Sequence, residues 1–250
     1  MPSSQKILLL AGTFEARQIA DRLPQLLSDS EITASFSGAV SDLPEMAVST
    51  HVGGFGGIKG LSAYLIQNRI DLVIDATHPF AAQMSHHAAS ACKTTGTALI
   101  RFDRPRWEPV AGDTWVNAAD IEETVKLLPL KARVFLAIGR KEIAAFFARQ
   151  DLWALVRMIE PPATSLPDGW HLELARPSLS AAKELSLMRE HRITHVVSKN
   201  SGGAQSYGKI EAARELGVPV IIVSRPPTAD VCTCTDIDEL CVSAKQALSK

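Results

Sequence analysis

The sequence predicts an α/β protein with two doubly wound parallel-sheet domains that face a cleft. Three observations lead to this prediction. Short apolar runs alternate with helical patterns, polar or glycine-rich turns follow those runs, and the second half of the chain repeats the plan of the first. The 250 residues are enough for two modest domains, which we place at residues 1–110 and 111–250.

The first half contains apolar runs of the length expected for buried strands. The clearest is residues 72–74, which is too short for a helix and stops at Asp75. Pro79 then fits the first turn of a following helix, because its ring fixes φ near the helical value. Polar groups thus cluster where a strand ends and a helix begins, which is where open parallel sheets bind ligands. Further strands are expected at residues 6–10, 32–36 and 98–102.

The second half echoes the first at four places in the same order, which indicates two similar sub-domains. After the first strand of each half, a glycine lies three residues before a glutamate, at Gly12 and at Gly139. Residues 193–198 then echo residues 70–75. In both halves a helix ends in glycine, and the strand after it runs into Arg-Pro with the same spacing. These positions are Gly96 to Pro105 and Gly217 to Pro226.

The composition excludes several classes of function. Hydrophobic residues make up 46% and charged residues 21% of the chain, and the net charge of −1 would not recruit nucleic acid or a membrane surface. No apolar run has the length of a bilayer span, and no signal peptide is visible at the start of the chain. The four cysteines resemble neither a disulfide framework nor a metal site. We therefore expect a cytoplasmic protein that binds no metal, nucleic acid or membrane.

Two glycine-containing turns of the first half are candidate cofactor sites. Residues 53–57 place four glycines around Phe55, and such a loop can cradle an anion with its backbone N–H groups. Gly12 and Thr13 form a weaker signal, because the full dinucleotide fingerprint is absent. A flexible loop and ordinary strand-to-helix packing are the alternatives. The second strand ends without an acidic residue to hold a ribose diol, which mildly disfavours NAD.

The richest polar cluster follows the second-half counterpart of Asp75. Lysine, amide, hydroxyl and bare backbone groups together suit phosphate or carboxylate recognition, although a polar surface loop has the same composition. The cluster comprises Ser198, Lys199, Asn200, Ser201, Gly202 and Gly203, with Lys209 shortly after it.

In the first half, His78 is a candidate proton donor or substrate contact, or simply a residue at the start of a helix.

Basic residues recur near the predicted strand ends of a chain whose net charge is close to zero. This local excess indicates an anionic ligand, and a dinucleotide would not use all of these residues, so a polycarboxylate is expected as well. Solvated loops explain some of them equally well. The residues are Arg101, Arg104, Arg106, Arg140, Lys141, Arg176, Lys199, Lys209 and Arg225.

Seven motifs, in this order, make the sequence similar to the precorrin-6A reductase family of corrin-ring (vitamin B12) biosynthesis. The resemblance covers nearly the whole chain, and the motifs are specific as a set. They are Gly12-Thr13-x-Glu15-Ala16-Arg17, residues 52–57, Asp75-Ala76-Thr77-His78-Pro79-Phe80-Ala81, Arg104-Pro105-x-Trp107, Ile138-Gly139-Arg140, residues 199–203 and residues 211–217.

The resemblance implies two Rossmann-like domains and a cleft that holds NADPH and a tetrapyrrole with acetate and propionate arms. It implies hydride transfer to one carbon–carbon double bond of precorrin-6A, giving precorrin-6B. We expect proton donation from His78 or Lys199, with solvent or the macrocycle as the alternative source. The expected cofactor contacts are Gly12, Thr13, Gly54, Phe55, Gly56, Thr77, Ser198, Asn200, Ser201 and Gly202. The expected substrate contacts are Arg104, Arg140, Lys141, Arg176 and Lys209.

Two alternatives stay open at this point. One is a cobalt-precorrin-6A reductase of the oxygen-independent route that uses NADH, and the other is a non-catalytic dinucleotide-sensing module. The chain departs from the family at Ala11, Ala39 and His51, where Gly, Arg and Arg are common, and an arginine at position 39 would suit a 2′-phosphate. Neighbouring enzymes of the corrin pathway are the expected protein partners.

Overall fold

The computed structural model describes residues 4–38 and 45–249, so Ala39 lies outside the described residues. The chain forms two compact units. Unit 1 comprises Met1–Pro105 and Pro226–Lys250, and unit 2 comprises Arg106–Arg225. Within the described residues each unit contains one six-stranded sheet, and every strand pairing is parallel. The predicted α/β class with two Rossmann-like parallel sheets is therefore confirmed.

The first part of the chain alternates strands and helices. In chain order these are β1 (Gln5–Leu10), α1 (Phe14–Leu26), β2 (Ser30–Phe36), β3 (Ser49–Val52), α2 (Gly57–Asn68), β4 (Leu72–Asp75), α3 (Ala82–Thr95) and β5 (Ala98–Phe102). The strands predicted at residues 6–10, 32–36, 72–74 and 98–102 are confirmed. Pro79 lies in a turn before α3, closed by the Ala81 amide donating to His78 O (2.7 Å), and not in the first helical turn as predicted.

The rest of the chain follows the same plan. Its elements are β6 (Trp115–Ala118), α4 (Ile121–Leu127), β7 (Arg133–Ala137), a short 3₁₀ turn (Ile143–Phe146), β8 (Trp153–Met158), β9 (His171–Leu174), α5 (Ala181–Glu190), β10 (His195–Lys199), α6 (Gly208–Leu216), β11 (Val220–Val223), β12 (Cys232–Cys234) and α7 (Ile237–Leu248). Across the described residues, none of the helices combines the length and the apolar character needed to cross a membrane.

The two sheets have the same strand order. Unit 1 is ordered β3-β2-β1-β4-β5-β12, and unit 2 is ordered β9-β8-β7-β10-β11-β6. In each sheet the order reverses direction once, between β1 and β4 or between β7 and β10, and such a switch point is where doubly wound sheets bind ligands. The helices before β5 and β11 are capped at their C-termini by Gly96 and Gly217. Both glycines have a left-handed φ, and the repeat predicts a glycine at each of these positions.

The sixth strand of each sheet comes from an unexpected part of the chain. β6 follows β5 in sequence but pairs with β11, whereas β12 follows β11 but pairs with β5. Residues 226–250 consequently belong to unit 1, and not to a second domain spanning residues 111–250. The physical reason is that β12 extends the first sheet and α7 buries Leu240, Cys241 and Ala244 against the core of that sheet.

Both faces of the first sheet are covered, which accounts for its continuous apolar strands. Ile7 and Leu9 pack on one side with α1 and α7, while Leu8 and Leu10 pack on the other side with α2 and α3. Because side chains alternate along a strand, a strand with two buried faces has apolar residues throughout. The carboxyl ends of the strands and the turns after them remain available for polar groups.

Candidate functional site

Thr13 joins the two strand ends at the switch point of the first sheet. Its hydroxyl donates to Ala76 O just after β4 (2.9 Å) and accepts from the Ala16 amide (3.0 Å) as the N-cap of α1. Gly12, directly before it, has a φ of +131°, a conformation that favours glycine. The start of α1 and its unpaired backbone N–H groups thus lie at the switch point, where such folds bind a pyrophosphate.

A buried ion pair supports the turn that carries Thr77. Asp75 is 2% exposed and accepts a hydrogen bond from Arg101 Nη1 (2.8 Å), and Arg101 also donates to the Ser85 hydroxyl. The other carboxylate oxygen of Asp75 accepts from the Thr77 amide (3.1 Å) and hydroxyl (2.6 Å). Thr77 therefore has its hydroxyl proton committed to Asp75, and the oxygen lone pairs are what it can offer a ligand.

His78 follows in the same turn, and its ring orientation is fixed by a local contact. The Phe80 amide donates to His78 Nδ1 (3.2 Å). A ring nitrogen that accepts a hydrogen bond carries no proton, so in this arrangement the neutral imidazole is protonated at Nε2. His78 can therefore act as a hydrogen-bond donor through Nε2.

The glycine loop at residues 53–57 is held by an aromatic cluster. The ring of Phe55 stacks on His51 with centroids 5.0 Å apart, and Tyr64 of α2 lies edge-on to both rings. Gly56 is the N-cap of α2 with a φ of +79°, and no side chain caps this helix. The loop packs closely on the helix, since a Cβ at Gly60 would lie 1.6 Å from Phe55 O. This packing favours an ordered loop over a flexible one.

In unit 2, the predicted polar cluster lies at the switch point of the second sheet, in the last two residues of β10 and the turn after them. Lys199 Nζ forms an ion pair with Glu142 (2.7 Å). The hydroxyls of Ser198 and Ser201 both donate to Lys199 O, at 3.2 and 3.4 Å. Gly202 adopts a left-handed φ of +67°. The amide of Asn200 is used on both sides, because Oδ1 accepts from the Trp107 amide (2.9 Å) and Nδ2 donates to Trp107 O (3.0 Å).

The predicted substrate cations differ in their surroundings. Arg140, Lys141 and Arg176 are exposed and follow β7 and β9 in unit 2. Arg104 of unit 1 is mostly buried in an ion pair with Glu15. The exposed cations lie at the carboxyl edge of their sheet, where an acidic ligand would be expected.

Lys209 is the exception among these cations, because its ammonium is buried. The residue is 4% exposed, its Nζ donates to Ser206 O (2.5 Å), and the Nζ lies 4.8 Å from the centroid of the Trp107 ring. Burial lowers the pKa of Lys209 to about 7, with Glu184 acting to raise it and Arg157 to lower it. In this position the Trp107 ring lies against the ammonium, and the role of Lys209 as a substrate contact stays a prediction.

Several residues of the site were not predicted from the sequence. The sequence shows the Gly-x-x-Glu repeat, but it does not show that the two glutamates form ion pairs. Glu15 pairs with Arg104, and Glu142 pairs with Lys199. A second available signal was that His51 closely precedes the glycine loop in sequence, since this position could have predicted its contact with Phe55. Among the described residues, no group of three or more His, Cys, Asp or Glu side chains is arranged to hold a metal ion.

Comparisons with known proteins agree on one family. The family described as precorrin-6x reductase CbiJ/CobK matches residues 6–245. A precorrin-6A reductase of Rhodococcus erythropolis is 45% identical over 224 residues, which cover 89% of this chain and 90% of that protein. A cobalt-precorrin-6A reductase of Methanothermobacter thermautotrophicus is 32% identical over 240 residues, covering 88% and 76%. The solved structure of a CobK precorrin-6A reductase has a TM-score of 0.90 and 38% identity, and the match covers 97% of both chains.

Proposed function

The chain belongs to the precorrin-6x reductase family, and from this premise we propose that it reduces one carbon–carbon double bond of precorrin-6A to give precorrin-6B, with NADPH as the hydride donor. The observation that carries the proposal is the family match over residues 6–245. The 45% identity to a precorrin-6A reductase, against 32% to a cobalt-precorrin-6A reductase, favours the metal-free substrate.

The geometry of unit 1 supports a nicotinamide nucleotide site. Gly12 leaves room for a pyrophosphate, Thr13 caps the helix whose N-terminus would bind it, and the strand order places both at the switch point. We assign the remaining contacts of this unit to Thr77 and to the loop with Gly54, Phe55 and Gly56. When bound, the nicotinamide supplies the hydride, and the protein contributes orientation and exclusion of water.

NADPH is proposed over NADH because of the residues at the ends of β2 and β3. Residues 35–40 contain no acidic side chain that would hold a ribose diol and repel a 2′-phosphate. Ser35 and His51 meet there, with Oγ and Nδ1 3.3 Å apart, and Ser37 is exposed beside them. A hydroxyl and an imidazole are both groups that can donate hydrogen bonds to phosphate oxygens.

The nucleotide preference is tested by calorimetric titration of the protein with NADPH and with NADH. We expect tighter binding of NADPH, and we expect His51→Ala to weaken NADPH roughly tenfold more than NADH, as for loss of one charge-assisted hydrogen bond to the 2′-phosphate. His171→Ala, an exposed histidine of unit 2, is the matched control. Equal affinities for the two nucleotides in the unaltered protein would contradict this assignment.

In unit 2 we propose that Arg140, Lys141 and Arg176 bind the carboxylate arms of the macrocycle. His78, through Nε2, and Lys199, paired with Glu142, stay the candidate proton donors. Ser198, Ser201 and Gly202 stay predicted contacts of the cofactor. The cleft predicted between the two domains stays a prediction as well.

The reaction is tested by anaerobic incubation of the protein with NADPH and precorrin-6A, following loss of the reduced nicotinamide and formation of the dihydro product. Cobalt-precorrin-6A and NADH form parallel arms. We expect turnover with the metal-free substrate to exceed turnover with the cobalt substrate. Faster reduction of the cobalt compound would reassign the substrate, and nucleotide binding without any turnover would indicate the sensing module.

A further inference from the structure

One loop of unit 2 contacts both segments that connect this unit to the rest of the chain. We call residues 199–203, which begin at the last residue of β10, the anchor loop. The chain enters unit 2 at Arg106 and leaves it at Arg225. Backbone and side-chain groups of the anchor loop bind the residues next to both of these points, although the two points are far apart in sequence.

At the entry point, the contact is between Asn200 and the backbone of Trp107. The planar amide of Asn200 accepts from Trp107 N (2.9 Å) and donates to Trp107 O (3.0 Å), as a neighbouring strand would. The indole of Trp107 also donates to Gly203 O (2.8 Å), and Trp107 is 7% exposed. Three hydrogen bonds thus join the entering segment to the anchor loop.

At the exit point, the contact is between Arg225 and the backbone of the anchor loop. Arg225 Nε donates to Asn200 O (2.9 Å), and its Nη2 donates to Ser201 O (3.1 Å). The backbone N–H of Asn200 donates in turn to Val223 O at the end of β11 (3.0 Å). Arg225 is 9% exposed, so these bonds form in a site largely protected from water. Backbone and side chain of Asn200 therefore bind different connecting segments.

We propose that Asn200 is a positioning residue that fixes the anchor loop and both connecting segments, and that it does not bind the cofactor directly. One lone pair of Oδ1 and one N–H of Nδ2 are already used within unit 2, and a ligand could take these two groups only by releasing Trp107. An asparagine is required because only an amide provides a donor and an acceptor at this length. Gly202 and Gly203, both with left-handed φ, give the loop little stiffness of its own, so the anchoring contacts determine its position.

The positioning role of Asn200 has one consequence that is independent of the reaction and one that rests on the proposed function. Independently of any ligand, loss of the Asn200 amide should expose the Trp107 backbone N–H to exchange. If the proposed reductase activity is correct, the displaced anchor loop lowers kcat. KM for NADPH should change less than kcat, because most nucleotide contacts are assigned to unit 1, and only Ser201 and Gly202 of the proposed contacts lie in the anchor loop beside Asn200.

The test uses hydrogen–deuterium exchange of the full-length protein without ligands, resolved to the Trp107 amide. The variants are Asn200→Ala, Asn200→Asp and the control Asn117→Ala, an exposed asparagine on β6 of the same unit. We expect at least tenfold faster exchange at Trp107 in Asn200→Ala and no change in Asn117→Ala. Asn200→Asp keeps the acceptor but places a carboxylate oxygen against Trp107 O. It should speed exchange less at this amide, and it serves if the alanine variant does not fold.

The kinetic arm compares the same variants under turnover conditions. We expect Asn200→Ala to lower kcat at least tenfold while KM for NADPH rises by a smaller factor. Unchanged exchange at Trp107 in a folded Asn200 variant would overturn the inference, as would a more than tenfold weaker affinity for NADPH without a change in exchange. Absence of turnover in the unaltered protein would instead contradict the proposed function and leave the exchange result to decide the positioning role.

Discussion

Replacing Lys209 by methionine is expected to remove a pH dependence from the stability of the protein. The ammonium of Lys209 is buried beside the Trp107 ring, with the carbonyl of Ser206 as its hydrogen-bond acceptor. The nearby charges, Arg157 and Glu184, form an ion pair with each other. Methionine has a similar length and no charge, so it should fill the same space without a titrating group.

The magnitude follows from the pKa of Lys209, which burial lowers from 10.5 to about 7. Between these two values the unfolded chain binds a proton that the folded protein does not, so stability rises with pH. The destabilising cost of Lys209 is fully present below pH 7 and disappears above pH 10.5. At 1.36 kcal/mol per pH unit, and with half of the lysine still charged at pH 7, the gain from pH 7 to pH 9 is about 2 kcal/mol.

The assay is urea unfolding at pH 6, 7, 8 and 9, with the free energy of unfolding obtained by linear extrapolation at each pH. The difference between the protein and Lys209→Met isolates this lysine from other titrating groups. Lys59→Met, an exposed lysine on α2, is the matched control and should keep the original pH dependence. If the pH dependences of the protein and of Lys209→Met agree within about 0.5 kcal/mol, the pKa of the buried lysine is not lowered in the folded protein.

Three further predictions concern groups whose surroundings are equally well defined. Asp75→Asn removes the nearer charge partner of the buried Arg101 guanidinium and leaves Asp103 at 3.9 Å, so it is expected to lower the free energy of unfolding by about 3 kcal/mol, measured with urea. Gly60→Ala is expected to destabilise by about 2 kcal/mol despite the better helix propensity of alanine, because the new methyl group meets Phe55 O, and thermal melting checks this. With a thiol reagent at pH 8, mass spectrometry should show Cys232 modified in the folded protein and Cys92 only after unfolding, since burial raises the pKa of the Cys92 thiol to about 12.

The sequence is sufficient for features that are set locally. A parallel strand covered on both faces needs an uninterrupted apolar run, so β4 and β11 can be located from their side chains alone. The repeat then predicts that both sheets share one order, and it places the polar turns at equivalent strand ends. Gly96 and Gly217 are informative for the same reason, because a left-handed residue after a helix favours glycine.

Partners that depend on strand order are not available from the sequence. Asp75 and Arg101 lie in register on β4 and β5, and their pairing follows only when these strands are known to be neighbours. The sheet to which each sixth strand belongs is harder still to predict. β6 and β12 are short edge strands with exposed residues. Their composition does not indicate whether each strand pairs with the sheet that precedes it in the chain or with the other sheet.

Lys209 shows what the pattern of a helix adds to an expectation based on charge. Its position after a polar turn suggested a cation for substrate carboxylates. However, Ala212 and Ala213 lie three and four residues further along α6, and both are buried. Residues at these spacings share one face of a helix, so Lys209 belongs to the face that packs on the sheet. A charged residue on an apolar helix face is expected to be buried with a shifted pKa, and this is the property that the pH experiment on Lys209 measures.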